Sequence, residues 1–225
     1  MIESVEVRRG RGFRIGSWPG VIGPILFAAV FTVEGSLRPG YDPTSMYVSA
    51  LSIGPRGWIQ IANFMVFGAL LLMFSRRVAA ELRGGKASRA GPLLLAIIAV
   101  GLFLSGPFVM DPQDTARAAL SSHGWLHLLF GAIVFTAMPT SCFVFFRRFR
   151  QDRHWRWLRV WTLVAGAVIV AAIAIQKILP VVAPDSFHNV AGLIQRVEIL
   201  TYLIWLVAFA TRLGREEPPS ANVLE

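Results

Sequence analysis

Cysteine is almost absent from this chain of 225 residues, which contains only Cys142. A single cysteine excludes an intrachain disulfide and any metal centre that depends on several thiolates. The residue lies within the apolar run SCFVFF, and this position predicts a thiol packed in the core.

Acidic residues are also scarce, because 13 Asp and Glu stand against 22 Lys and Arg and give a formal net charge of +9. A basic chain can bind nucleic acid, but here the Lys and Arg alternate with apolar segments and form no recognition motif. The charge therefore gives no support to nucleic-acid binding. Its distribution is typical of loops that orient a membrane protein.

Charged residues of both signs make up only 16% of the chain, whereas 55% is hydrophobic and the mean hydropathy is +0.58. A soluble domain of ordinary composition is less apolar, so part of this surface must face lipid. One helical span needs about 20 apolar residues, and 225 residues hold only a handful of such spans. We predict an all-α, polytopic membrane helix bundle that forms one membrane domain.

The long apolar runs predict six transmembrane helices. They cover residues 18–33, 58–74, 90–110, 125–146, 160–179 and 189–210. The membrane domain then extends over residues 18–212, between a basic N-terminal segment, 1–17, and a polar tail, 213–225, that we expect to be disordered. In the first long loop Asp42-Pro43 fits a helix N-cap followed by proline, which predicts a short interfacial helix from Pro43 to Leu51.

The basic residues predict the orientation of the bundle. The N-terminal segment holds four Lys and Arg, the loops after the second and fourth spans hold five and six, and the stretch after the sixth span holds two, Arg212 and Arg215. The alternate loops hold only Arg38, Arg56 and Arg117. By the positive-inside rule both termini are therefore expected in the cytoplasm.

The few polar residues of the predicted spans gather towards the outer side, where Asp111, His127, Asn63 and Arg196 all fall. A charge inside a span costs about 2.5–3.5 kcal/mol on insertion scales, so such groups turn towards partners or a water-filled cavity. This pattern predicts a polar pocket that opens outward, with Asp111 or Glu34 as partner of Arg196. The ligand-binding candidates are Asn63, Arg196, Asp42, Gln195 and Glu198.

Three histidines suggest a more specific hypothesis, a zinc site. His123 and His127 lie four residues apart on one helical face, and His188 comes from another segment. Zinc accepts such a set, with Asp111 as fourth ligand or as the acceptor that orients a histidine. A zinc-bound water, whose pKa falls to about 7, attacks esters and amides. The catalytic candidates are His127, Asp111 and Ser49, with the further loop serines Ser45, Ser52, Ser121 and Ser122.

The same residues also fit roles without zinc. His123 and His188 suit wet interfacial positions, and haem ligation by His127 with His188 is a further alternative. An ion pair of Arg196 with Glu198 or Asp111 would simply lock the helix packing.

Four motifs follow one another along the chain: YDPTSMYVSALSIGPRGWIQIANF, GPFVMDP, GWLH and NVAGLIQRVEILTYLIWLVAFATRL. In this order, and over nearly the whole chain, they resemble the bacterial and archaeal membrane proteins of the domain of unknown function 998 family. The resemblance implies a six- or seven-helix protein of a bacterial cytoplasmic membrane without a settled activity. The family-like residues are Tyr41, Asp42, Ser49, Gly54, Gly57, Trp58, Asn63, Asp111, Pro112, Gly124, His127, Gly192 and Arg196; His123 and His188 depart from the pattern.

Three functions follow as hypotheses. The first is a membrane protein whose outward pocket binds a small or lipid-like ligand. The second is an intramembrane hydrolase, metal-dependent or based on His, Asp and Ser, that acts on a lipid-like substrate. Its residue types are similar to those of the membrane hydrolases that include alkaline ceramidases, although their HxxxH pair lies in the last of seven spans. The third is a structural or accessory membrane subunit.

Overall fold

The computed structural model describes residues 15–215, and within them the chain is helical. The basic residues Arg8, Arg9, Arg11 and Arg14 and the tail from 216 to 225 lie outside the described residues. The six α-helices are α1 (Pro19–Leu37), α2 (Gly57–Glu81), α3 (Ala90–Leu104), α4 (Ser122–Phe149), α5 (Leu158–Val182) and α6 (Pro184–Gly214).

Five of these helices, all except α3, are long and apolar enough to cross a bilayer. Their outward faces carry large apolar side chains, such as Trp161 and Ile204, which are 65% and 70% exposed. A surface of this kind is stable against lipid and not against water. The protein is therefore a helical membrane bundle. Helix α3 has 15 residues and is shorter than a full span.

The helices form a closed ring in which each packs against its neighbours in sequence and α6 packs against α1. Small residues bring the helices together. At Gly68 of α2 an added Cβ would lie 2.6 Å from the carbonyl oxygen of Ala99 on α3, so the two backbones touch there. Such close approaches are typical of membrane helices, which associate through packing.

The first long loop differs from the prediction, because no helix runs from Pro43 to Leu51. A turn follows Asp42, and a short 3₁₀ helix spans Val48–Ser52. The carbonyl of Thr44 accepts a hydrogen bond from the amide of Leu193, and that of Met46 accepts one from Arg196. With these carbonyls bound to α6, the turn cannot continue into an α-helix.

The end of α3 also differs from the prediction, which placed it at Met110. The helix ends at Leu104, and the hydroxyl of Ser105 donates to the carbonyl of Gly101 at 2.8 Å. Gly106 and Pro107 follow, and proline disfavours the helical conformation of the residue before it.

One end of the bundle is filled by aromatic side chains and is called the aromatic end. Rings of α2, α4 and α6, together with Trp155 of the α4–α5 connection, lie with centroids 4.7 to 5.8 Å apart. The cluster consists of Phe74, Phe145, Phe149, Trp155, Trp205 and Phe209, all of them buried. Because these rings are buried and in contact with one another, this end of the bundle is closely packed.

Candidate functional site

A cavity of about 770 Å³ lies at the end of the bundle opposite the aromatic cluster, here called the cavity end. All six helices contribute to its wall, with the loops at 38–56 and 105–121. On α4 it reaches from Gly124 to Met138, which corresponds to about 21 Å of helix. Its volume falls within the range of small-molecule sites, roughly 300–1,000 Å³.

The cavity changes character along its length. Its deep part is apolar and is lined by Phe27, Phe64, Phe67, Leu102, Val134, Met138, Ile199 and Leu203. Its mouth is polar and is lined by Ser49, Asp111, Gln113, Arg117, Gln176, Lys177 and Gln195. A site with this division suits a molecule that has one polar end and one apolar end.

His127 borders the cavity and is only 8% exposed. Its Nδ1 lies 2.7 Å from the carbonyl oxygen of Phe108. Because a carbonyl only accepts, this contact requires the proton on Nδ1, and Nε2 is an acceptor whenever the ring is neutral. The ring also meets Phe64 edge to face, with centroids 6.2 Å apart. The group that orients His127 is thus a backbone carbonyl and not Asp111.

Asp111 organises the start of α4. Its Oδ2 accepts a hydrogen bond from the amide of Ser121 at 2.7 Å, and the Ser121 hydroxyl accepts one from the amide of Gly124 at 3.0 Å. The motifs GPFVMDP and GWLH therefore hold each other through two links, Asp111 to the start of α4 and Phe108 to His127.

Arg196 binds the first loop. Its guanidinium donates to the hydroxyl of Tyr41 and, at 2.9 Å, to the carbonyl of Met46. Burial raises the pKa of Tyr41, so its hydroxyl stays neutral and accepts this bond. The predicted ion pair of Arg196 with Asp111, Glu34 or Glu198 is wrong, because within residues 15–215 its partners are Tyr41 and backbone carbonyls.

Glu34 has other partners. Its buried carboxylate pairs with Arg38 at 2.9 Å and with Arg56 at 2.6 Å. Arg38 also donates to the carbonyl of Ile53, so the cluster joins the end of α1 to both ends of the first loop. These three groups pair with one another and are not part of the cavity wall.

Gln195 both secures the first loop and borders the cavity. Its Oε1 accepts a hydrogen bond from the amide of Val48 at 2.8 Å. From the same loop Tyr47 donates its amide to Gln113 at 3.1 Å, which ties together the two loops that cover the cavity. Burial, and the charge of Glu198, raise the pKa of Tyr47.

Two further ligand-binding candidates lie away from the cavity wall. Asn63 is buried and donates to the carbonyl of Phe27 at 3.1 Å, which links α2 to α1. Asp42 is exposed and accepts hydrogen bonds from Thr44 and Ser45, which lower its pKa to about 2. Both residues serve the architecture around the site.

Glu198 is fully buried on α6, and neither of its carboxylate oxygens has a hydrogen-bond partner among residues 15–215. Its helical neighbours Gln195 and Ile199 line the cavity. The charge of Lys177, on the neighbouring helix α5, acts on it. Buried polar groups are nearly always paired, so an unpaired carboxyl beside a cavity is a mark of a functional site.

Ser49 is the third catalytic candidate, and it lies at the mouth of the cavity. Within the described part of the chain its hydroxyl has no hydrogen-bond partner. Two cations that were not among the predicted site residues, Arg117 and Lys177, also line the mouth. The sequence signal for the second was a lysine near the end of an otherwise apolar span.

The proposed zinc site is not assembled. Among the described residues no three His, Cys, Asp or Glu side chains lie close enough to bind one metal ion. His123 is exposed and contacts the ring of Phe108 at 5.5 Å, whereas the exposed His188 contacts Phe187. His127 alone of the three is buried at the cavity. The donor set does not fit zinc, and it does not pair His127 with His188 for haem.

The four motifs thus meet around one cavity, and a family model with the same extent matches the chain. The model is described as Protein of unknown function (DUF998) and matches residues 21–212. The chain belongs to the DUF998 family. Comparison with curated proteins and with solved structures gives no match.

The residues that resemble the DUF998 pattern fall into two groups in the structure. Of the family-like residues, those that line the cavity are Ser49, Asp111, Pro112, Gly124 and His127. Others hold its cover in place, since Tyr41 and Arg196 bind each other and Gly192 lets the first loop touch α6. An added Cβ at Gly192 would meet the carbonyl of Pro43 at 2.8 Å. In this DUF998 protein these residues therefore line the cavity or hold the first loop, which covers it, against α6.

Proposed function

We propose that this protein binds a lipid-like amphiphile in the cavity, with the polar group at the mouth and the hydrocarbon in the deep part. The main support for the proposal is that the cavity wall has a polar mouth and an apolar deep part. Polar side chains such as Asp111 and Lys177 lie at the mouth, and apolar ones such as Phe67 and Leu203 lie below. A cavity lined in this way matches an amphiphile in both polarity and volume.

The proposal includes a topology of six crossings, with both termini in the cytoplasm and the cavity opening to the outside. Arginines of the α4–α5 connection, such as Arg150 and Arg156, lie beyond the aromatic end. The loops at the cavity end hold only three basic residues, Arg38, Arg56 and Arg117. Helix α3 is the sixth crossing, completed by the irregular segment 105–110, in which Ser105 and Gly106 are buried and residues 108–110 are half-buried. In this arrangement loop 38–56 covers the cavity from the outer surface.

A cavity-filling substitution tests the binding function. Leu203 lines the deep part, whereas its neighbour Ile204 faces outward and is 70% exposed. Leu203→Trp is expected to abolish retention of lysophosphatidylglycerol, counted as protein–lipid adducts by native mass spectrometry. Ile204→Trp adds the same bulk on the outward face and is the matched control. Equal adduct formation by both variants would contradict the proposed site.

A hydrolase is the second candidate, because the wall of one cavity holds both His127 and Ser49, whose hydroxyl has no hydrogen-bond partner among residues 15–215. In such a reaction His127 takes the proton of Ser49 as the hydroxyl attacks the ester carbonyl, and returns it to the leaving alcohol. Water, deprotonated in turn by His127, then attacks the acyl-Ser49 ester, which releases the fatty acid and returns the proton to the Ser49 hydroxyl. The measurement is release of fatty acid from lysophosphatidylglycerol by the wild type.

Two variants separate catalysis from binding. His127→Asn keeps a donor near the Nδ1 position for the Phe108 carbonyl but lacks the second nitrogen. Ser49→Ala removes only the hydroxyl. Hydrolysis lost in both variants with adducts retained supports the enzyme. If the wild type forms adducts but does not hydrolyse the lipid, the protein binds lipid and is not this hydrolase. If the wild type shows neither binding nor hydrolysis, the result favours a structural subunit.

A further inference from the structure

Helices α4 and α5 border the cavity, yet they separate towards its end. They are close near the aromatic end, where an added Cβ at Gly166 would lie 3.0 Å from the ring of Phe143. The buried residues of α5 run from Leu158 to Ala172, and its last ten residues, 173–182, are exposed or half-buried. The first seven residues of α6, 184–190, are exposed or half-buried as well, and burial on α6 begins at Ala191. The outer part of α5 therefore stands apart from the bundle.

The space between the two helices is continuous with the cavity. Leu128 and Leu129 of α4 line the cavity and are nevertheless 50% and 52% exposed. A Cβ placed at Gly131, one turn further along, would meet no described atom within 4 Å. Residues that belong both to the cavity wall and to the lipid-facing surface mark a side opening. We call it the α4–α5 portal, and it is bordered by Leu128, Gly131, Ala132, Ile173 and Gln176.

Charge at the portal indicates the kind of polar group that passes it. Lys177 follows Gln176 on α5 and also lines the cavity, and Arg117 lines the mouth with its guanidinium 5.3 Å from the ring centre of Trp125. The acid among them, Asp111, is bound to the Ser121 amide. Two cations thus face one engaged carboxylate at the mouth. This balance favours an anionic headgroup.

We infer that the cavity takes an anionic amphiphile directly from the surrounding bilayer leaflet through the α4–α5 portal. The inference rests on the proposed binding function and adds the source and charge of the ligand. A hydrocarbon chain that enters sideways never passes through water, where each exposed methylene is unfavourable. The headgroup moves at the level of Lys177, which lies within about 8 Å of the end of α5.

A plugged portal tests this route. Gly131→Trp places a large ring in open space, so the fold is expected to tolerate it. Ile133→Trp is the matched control, because Ile133 lies two residues further on α4, is 39% exposed, and is not part of the cavity wall. The probe is fluorescent phosphatidylglycerol in phosphatidylcholine vesicles that contain the protein, and the readout is the rate of its capture.

The expected result is at least a tenfold slower capture by Gly131→Trp, with Ile133→Trp equal to the wild type. Octyl phosphate, a short water-soluble probe added from solution, is expected to reach the same final occupancy in all three proteins. Lys177→Gln should reduce capture of phosphatidylglycerol several-fold and leave capture of fluorescent phosphatidylcholine unchanged, which tests the anionic headgroup.

The outcomes separate this inference from the proposed function. Equal capture rates for Gly131→Trp and Ile133→Trp overturn the portal while the binding function stands. Equal loss of both lipids in Lys177→Gln overturns the choice of an anionic ligand. If neither the lipids nor octyl phosphate binds the wild type, the binding function itself is wrong and the portal with it. Should Gly131→Trp lower the melting temperature, Ala132→Trp on the same border replaces it.

Discussion

The carboxylate of Asp111 occupies the space that any side chain at position 124 would need. A Cβ added at Gly124 would overlap this carboxylate, which is fixed by its hydrogen bond to the amide of Ser121. We predict that Gly124→Ala destabilises the protein by about 1–3 kcal/mol, because Asp111 must leave its position at the start of α4. The measurement is the melting temperature in detergent.

Gly131→Ala is the control for this prediction, since it makes the same change in the same helix where the space is open. Alanine favours a helix over glycine by up to about 1 kcal/mol, so this variant should be as stable as the wild type or more so. Similar losses in the two variants would show that helix flexibility, and not the contact with Asp111, explains the glycine at 124.

The bond between Tyr41 and Arg196 should appear as a coupling free energy. Tyr41→Phe and Arg196→Lys each remove it, because the hydroxyl and the planar guanidinium are both required. We expect the double variant to be more stable than the sum of the single effects predicts, by roughly 0.5–3 kcal/mol. A second cycle, of Tyr41→Phe with Ser121→Ala, joins residues that share no bond and should be additive. Additivity in the first cycle would contradict the role of Arg196 as the anchor of the loop.

Asp42 should contribute to stability in a defined acid range. Hydrogen bonds from the Ser45 hydroxyl and from the amide and hydroxyl of Thr44 lower its pKa from 3.8 to about 2. A carboxyl with a lowered pKa in the folded state stabilises it above the unfolded value, and this contribution is lost as the pH falls through the folded value. We expect the melting temperature of the wild type to fall between pH about 3.8 and about 2.

In Asp42→Asn this part of the acid dependence should be missing, which melting curves over the same pH range will show. Asp114→Asn is the control, because Asp114 is exposed in a loop and accepts no hydrogen bond from the described residues. An Asp42→Asn curve with the same slope as the wild type would mean that the turn does not hold the carboxylate in solution.

Much of the fold could be predicted from hydrophobic runs, because each helix of a membrane bundle must present apolar side chains along its length. The position of each polar residue along its apolar run also predicted that the polar groups gather at one end. The hydrogen-bond partners of these groups could not be predicted. Arg196 was expected to meet a carboxylate, but the loop from Tyr41 to Met46 folds back onto α6 and offers a hydroxyl and a carbonyl.

The histidines illustrate a second limit. Spacing places His123 and His127 on one face of α4, but one turn separates an exposed position from a buried one. His127 faces the enclosed cavity, whereas His123 lies at the surface against Phe108. A third ligand depends on how another helix is rotated and where it ends, and no periodicity within one segment contains that information.

Two buried acids of this chain should respond oppositely to the same substitution. Glu34 is paired with Arg38 and Arg56, whereas Glu198 has no hydrogen-bond partner among residues 15–215. Glu34→Gln leaves two guanidiniums without a counter-charge. We expect a loss of about 2–3 kcal/mol, which is below the cost for a fully enclosed pair, because the Arg56 side chain is 50% exposed.

Glu198→Gln breaks no hydrogen bond within the described residues and removes a carboxyl that burial disfavours. We therefore expect its unfolding free energy to stay within about 1 kcal/mol of the wild type, or to rise. The comparison requires delipidated protein, because a bound amphiphile could donate to Glu198 after a small shift of Gln195. A loss equal to that of Glu34→Gln in delipidated protein would mean that Glu198 has a partner within the chain. A loss that occurs only in lipid-loaded protein would instead assign its unpaired oxygens to the ligand.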